Sequence, residues 1–158
     1  MSKYIFTDGA TFNNGKKLAK SAIGVYFGKN DTRNISRRVS YHKQTNQISE
    51  LLAIEAALLS IEDNTDYILY TDSMYSINCL TKWYKDWLKN GWLTSKKKPV
   101  LNSGIIKNIL ELLEKKNIIF KHVRAHAEKP LETAPEYFEW YGNDQADKLA
   151  KRAIYQDS

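Results

Sequence analysis

Tyr67-Ile68-Leu69-Tyr70-Thr71-Asp72-Ser73 is a short apolar run that ends on a carboxylate and a helix-capping residue. Bounded in this way, it predicts a buried strand leading into a helix. Near the N-terminus, Tyr4-Ile5-Phe6-Thr7-Asp8-Gly9 repeats the pattern. A buried carboxylate is costly unless something positive compensates it. Two carboxylates at equivalent strand ends therefore predict a shared divalent cation. Two more acids, Glu50 and Asp147, lie near the starts of predicted helices that can face the same point.

Working outward from the two runs gives the order of elements. Lys3 to Asp8 is the first predicted strand, Ser21 to Phe27 the second, and Arg33 to Tyr41 a more polar third with the pattern of an edge. The turn-rich links Asn13-Asn14-Gly15 and Gly28-Lys29-Asn30-Asp31 predict an antiparallel meander. A helix capped at Thr45 or Asn46 follows, running to about Glu62, with Leu51, Ile54, Leu58 and Ile61 on its buried stripe. After the Tyr67 strand come a helix to about Leu80, a basic aromatic segment, and a helix from Asn102 or Ser103. The fifth strand spans Ile118 to Val123. A loop from Ala127 to Tyr141 then leads to a last helix from Asn143 to Tyr155. Strands four and five each follow a helix, so they are expected parallel to the first. The fold class is α/β: a mixed five-stranded sheet, three antiparallel strands and then two parallel, with helices on both faces.

The 158 residues fit one domain covering 1–158. No apolar run is long enough to span a membrane, and the first strand starts too early to leave room for a leader peptide. Cys79 is the single cysteine, which excludes an internal disulfide. These features predict an intracellular protein, cytoplasmic or nuclear and not secreted, and a monomer. The net charge is +6, and six lysines against one acid fall between Lys82 and Lys98. Trp83, Trp87 and Trp92 are interleaved with them. Clustered lysines anchored by aromatics predict a structured protrusion that meets a polyanion, a nucleic acid backbone.

Parallel neighbouring strands would bring Asp8 and Asp72 to within about 5 Å of each other, at the strand ends where open α/β sheets place ligands. Like charges that close demand a cation or a raised pKa. Leu51 and Ile54 belong to a buried face, so Glu50 is expected to turn toward the sheet. Asp147 lies one turn into its predicted helix, whereas Asp144 suits the ordinary role of an acid near a helix N-terminus. Oxygen-only ligands favour magnesium, with manganese as the alternative, over zinc. Two such ions about 4 Å apart serve phosphodiester hydrolysis. Metal-free ribonuclease chemistry needs a histidine pair, and nothing in the sequence brings together two of His42, His122 and His126.

Several motifs together resemble the type 1 ribonuclease H family: Thr7-Asp8-Gly9-Ala10, Thr45-Asn46-Gln47-Ile48-Ser49-Glu50-Leu51, Tyr70-Thr71-Asp72-Ser73, His122-Val123-Arg124-Ala125-His126 and Gly142-Asn143-Asp144-Gln145-Ala146-Asp147. They follow the family's order over nearly the whole chain. The resemblance implies hydrolysis of the RNA strand of RNA–DNA hybrids, leaving 5′-phosphate and 3′-hydroxyl ends. It implies that Asp8, Glu50, Asp72 and Asp147 hold two Mg2+ ions and that His126 assists proton transfer or product release. It makes the segment carrying Trp83, Lys85, Trp87, Lys89, Trp92, Lys96, Lys97 and Lys98 resemble a basic protrusion that grips the DNA strand. Asn14, Asn46 and Gln47 match positions that touch the hybrid's minor groove, where 2′-hydroxyls mark RNA, and Thr45 matches a phosphate contact. Met74 and Asp86 depart from the family's usual glutamine and asparagine. The fifteen residues from Ala127 to Tyr141, with four glutamates, replace a short glycine-containing loop. Two alternatives remain on the same fold: a catalytically silent hybrid-binding module, and another metal nuclease of the superfamily.

Overall fold

The computed structural model describes residues 3–13, 19–41 and 43–156. Strands β1 (Lys3–Phe12), β2 (Lys20–Tyr26), β3 (Ile35–Val39), β4 (Asp66–Thr71) and β5 (Asn117–His122) form one sheet. Their order is β3-β2-β1-β4-β5. β1, β2 and β3 pair antiparallel, while β4 runs parallel to both β1 and β5. This is the mixed sheet expected from helices standing before β4 and β5. Asn14 and His42 lie outside the described residues.

Thr7 stands beside Thr71 at the last β1–β4 pair, so Asp8 and Asp72 follow at adjacent positions. β1 does not stop at Asp8 as expected from the sequence. It continues to Phe12 because Gly9 to Phe12 keep pairing with β2, from Gly9 opposite Ile23 to Phe12 opposite Lys20. Beyond Thr7 the β4-facing edge of β1 is thus open, and the site forms on that edge.

Helix α1 (Asn46–Leu59) starts at Thr45, whose hydroxyl oxygen accepts the Ile48 N–H at 3.2 Å. Its fully buried Leu51, Ile54 and Leu58 meet Ile5, Ile23, Val25 and Leu69 of the sheet. Helix α4 (Ser103–Glu114) joins this core through Ile105, Ile106 and Ile109. The helix expected to end near Leu80 extends further. α2 (Met74–Asn78) passes through one π-helical stretch, Cys79–Trp83, into α3 (Tyr84–Asn90), which ends at Gly91 with φ +79°. Burial pushes the Cys79 thiol up to about 11, so this cysteine is a core side chain with little thiolate character.

Helix α5 (Tyr137–Gln156) covers the other face of β1, β2 and β3. It begins well before the Asn143 start expected from the sequence, and the connecting loop is correspondingly shorter than 127–141. The added turns are held by aromatic packing: Phe138 meets Tyr4 and Phe6 edge-on at 4.9 and 5.5 Å, and Tyr141 meets Tyr26 at 6.2 Å. Gly142 lies inside the helix, where a Cβ would meet the Phe6 ring at 2.2 Å, so the close packing of α5 on β1 requires glycine there. Asn143 is accordingly a buried helix residue rather than a cap. Gly24 makes the matching close approach from β2: its Cβ would lie 2.1 Å from the Ala146 carbonyl oxygen and 2.7 Å from Ala150 N. No helix among the described residues is long and apolar enough to cross a membrane.

Gly24→Ala is expected to lower stability by about 1–3 kcal/mol, because both clashing partners are backbone atoms of α5. Gly104→Ala, in the first turn of α4 with open space around it, is expected to be neutral or slightly stabilising. Paired denaturation curves in urea check both outcomes.

Candidate active site

Asp8, Glu50 and Asp72 each offer a carboxylate oxygen, and these atoms all lie within 4.8 Å of one another. The three acids arrive from three elements. Asp8 projects from β1, 5% exposed. Asp72 follows the end of β4, and Glu50 comes from the second turn of α1. Gly9 makes the approach of α1 possible: a Cβ at this position would lie 2.4 Å from the Ser49 carbonyl carbon and 2.5 Å from Glu50 N. Its N–H, on the open edge of β1, donates to Glu50 Oε1 at 2.6 Å and to Asp8 Oδ1 at 3.0 Å. One backbone donor thereby serves two carboxylates.

That single N–H does not neutralise the cluster. Burial, and then the neighbouring Asp72 charge, hold the Asp8 carboxyl well above the usual carboxylate range. Burial followed by the charge of Asp8 does the same to Glu50. Oxygen donors of this number, close together and short of positive charge, suit a hard divalent cation. Zinc's preferred nitrogen and sulfur ligands are absent from the group.

Asp147 occupies the flank of this group. α5 brings its carboxyl against that of Asp8, while its Oδ2 pairs with Lys151 Nζ at 3.0 Å one turn on. It sits in the interior of α5, so the helix-dipole role weighed for Asp144 and Asp147 applies to neither: Asp144 instead pairs with Lys148 at 3.0 Å. Asp72, His126 and Asp147 line a common recess of about 90 Å³ together with Trp140 and Asn143. His126 is exposed and adopts φ +50°. The His122 ring reaches back to the Asp72 carbonyl, with Nε2 3.2 Å from the oxygen. Trp140, Asn143 and Lys151 were not among the residues singled out from sequence. Their spacing from Asp147 puts them on one helix face; taking the helix to start at Asn143 hides that signal for Trp140 alone.

The substrate-contact candidates fall into two groups. Thr45, Asn46 and Gln47 sit at the start of α1, one turn ahead of Glu50, with Asn46 and Gln47 exposed. Lys85 and Lys89 are exposed on α3, and Lys96, Lys97 and Lys98 on the turn that follows. A bridge between Leu93 and Pro99 closes that turn, and Lys98 N–H donates to Thr94 Oγ1 at 3.2 Å. Trp83, Trp87 and Trp92 form a ring ladder with centroids 6.1 and 5.6 Å apart. Trp87 and Trp92 pack inward against the main core, leaving Trp83 the most open of the three at 40% exposure. Asp86 is exposed among these lysines.

Sheet order and acid placement define a ribonuclease H-like fold. A family model described as RNase H matches residues 1–155. The ribonuclease H of Schizosaccharomyces pombe (strain 972) is 38% identical over 149 residues, covering 94% of this chain and 51% of that protein. The chain thus spans about half the length of this relative. The ribonuclease H of Clostridium botulinum (strain Hall) is 33% identical over 151 residues, covering 95% of this chain and 93% of that protein. Among solved structures, a foamy viral protease–reverse transcriptase in complex with RNA/DNA hybrid superposes with a TM-score of 0.74 at 25% identity. The match covers 98% of this chain and 20% of that one. The chain belongs to the RNase H family.

The raised carboxyls give a signed expectation for stability. The folded state binds the Asp8 and Glu50 protons more tightly than the unfolded chain does, so this contribution is fully present below the ordinary carboxylate pKa. It is lost as pH rises through the raised values. In a chelator, Asp8→Asn is expected to stabilise the protein by roughly 1–2 kcal/mol at neutral pH, and by little near pH ~4. Thermal unfolding of both proteins across this range, with and without a divalent cation, measures the gap, which the cation should narrow.

Proposed function

We propose that this chain hydrolyses the RNA strand of RNA–DNA hybrids, with Asp8, Glu50, Asp72 and Asp147 holding two Mg2+ ions. The observation that carries the reading is the set of three carboxylate oxygens within 4.8 Å of one another, in a chain of the RNase H family. When bound, such ions supply Lewis-acid activation of water and stabilisation of a phosphodiester's leaving oxygen. The chain's own part is positioning. Gly9 N–H fixes the Glu50 carboxylate, and Lys151 fixes that of Asp147.

His126, exposed beside Asp72 and Asp147, is the side chain placed to move a proton to or from the product. His122 is engaged with the Asp72 carbonyl, so among the described residues no acid–base histidine pair stands ready for attack by a 2′-hydroxyl. This favours water as nucleophile and products with 5′-phosphate and 3′-hydroxyl ends. The exposed Asn46 and Gln47 suit the minor groove, where 2′-hydroxyls are presented. Thr45 keeps its hydroxyl hydrogen free for a phosphate, because its oxygen is the acceptor at the helix cap. Lys85, Lys89 and Lys96 to Lys98 suit the DNA backbone, with Trp83 available beside them.

The expected outcome with Mg2+ is cleavage of a matched RNA–DNA hybrid and none of double-stranded DNA or single-stranded RNA. Asp72→Asn should reduce the rate by at least about a hundredfold. Gel assays with product-end mapping measure both. Tight hybrid binding without turnover in any divalent cation would replace this reading with that of a silent binding module.

A further inference from the structure

The loop before α5 and the first turns of that helix carry a contact that the proposed reaction does not use. Trp140 donates its indole N–H to the Ala127 carbonyl oxygen at 3.0 Å. Ala127 directly follows His126, whose φ of +50° lies in the left-handed region. A histidine occupies that conformation at a cost and stays there only when its surroundings hold it. Its side chain is exposed, and the side-chain contact made to the adjoining backbone is that of Trp140 on the Ala127 carbonyl.

Trp140 is equipped for that role. Its ring is fixed on one side by Tyr137, with centroids 5.7 Å apart, and faces the Lys129 ammonium at 5.9 Å. It stands two helical turns before Asp147 on one continuous helix. The recess that it lines is shared with Asp72, His126 and Asp147. A single rigid element thereby carries both a carboxylate of the acid site and the donor that restrains the histidine loop.

We infer that Trp140 is a positioning residue, its indole N–H pinning the Ala127 carbonyl so that His126 is held at the mouth of the acid site. The loop from Ala127 to Glu136 is therefore tethered at its His126 end rather than swinging as a free lid. The role of His126 in turnover rests on the function proposed above; the tether itself does not.

Trp140→Phe separates the two, because it keeps an aromatic ring and removes the donor. In nitrogen-15 NMR spectra the wild-type Trp140 indole proton is expected to exchange slowly. The His126 and Ala127 amides should shift or broaden in the variant, while those of β1 and β4 stay in place. In hybrid cleavage, kcat should fall about tenfold with KM within about twofold. The same substitution in a His126→Ala background should have no further effect.

A rapidly exchanging indole proton, or unchanged His126 and Ala127 amides, would overturn the tether. An equal loss of kcat in the His126→Ala background would overturn its action through the histidine. Failure of the wild type to cleave any hybrid would instead refute the proposed function, and the NMR result would still decide the tether.

Discussion

Three carboxylates are pressed together at the end of a parallel strand pair, and their mutual repulsion is the constraint around which the molecule is organised. Nothing in the apolar core benefits from it. The fold sustains it because each acid is delivered by a different well-packed element: β1 within the sheet, the β4 terminus beside it, and α1 across Gly9. Removing any one element's packing would let its acid relax toward water. The raised carboxyls of Asp8 and Glu50 express this opposition, since the folded state favours a proton where a cation would serve better. A site built for function is here also a place of stored instability.

Much of this was legible in the sequence because buried strands and their terminal acids are local features. The runs ending at Asp8 and Asp72 gave the parallel pair, and the Leu51, Ile54 and Leu58 stripe oriented α1 so that Glu50 faced the sheet. What escaped were contacts between distant segments. Gly142 sits within α5, where the distant Phe6 ring occupies the space a side chain would need. Phe138 and Tyr141 read as loop aromatics until Tyr4, Phe6 and Tyr26 are in place to receive them. The continuation of α2 into α3 was likewise hidden, because a π-helical stretch breaks the 3.6-residue rhythm on which periodicity depends.

Charge and aromatic character are divided in the basic segment. The lysines of α3 and the following turn point to solvent, whereas Trp87 and Trp92 face inward and tie the segment to the core. Lys107 of α4, stacked 4.9 Å from the Trp92 ring, adds a cation–π contact at the seam. The segment is therefore a braced arm rather than a tail, its lysines carried on a backbone that Trp87 and Trp92 tie to the core. Such preorganisation lowers the ordering cost of association.

The close approach of Gly24 to Ala146 fixes α5 from below, next to Asp147 and far from the loop that precedes the helix. The acid site and the histidine loop therefore share α5 as a support, Asp147 through its deep strand–helix packing and the loop through the half-buried Trp140 indole. Insertions between Ala127 and Glu136 can lengthen the connection without altering where Asp147 comes to rest. In a lineage of such chains, that segment is free to diversify in length and charge while the carboxylates beneath it keep their places.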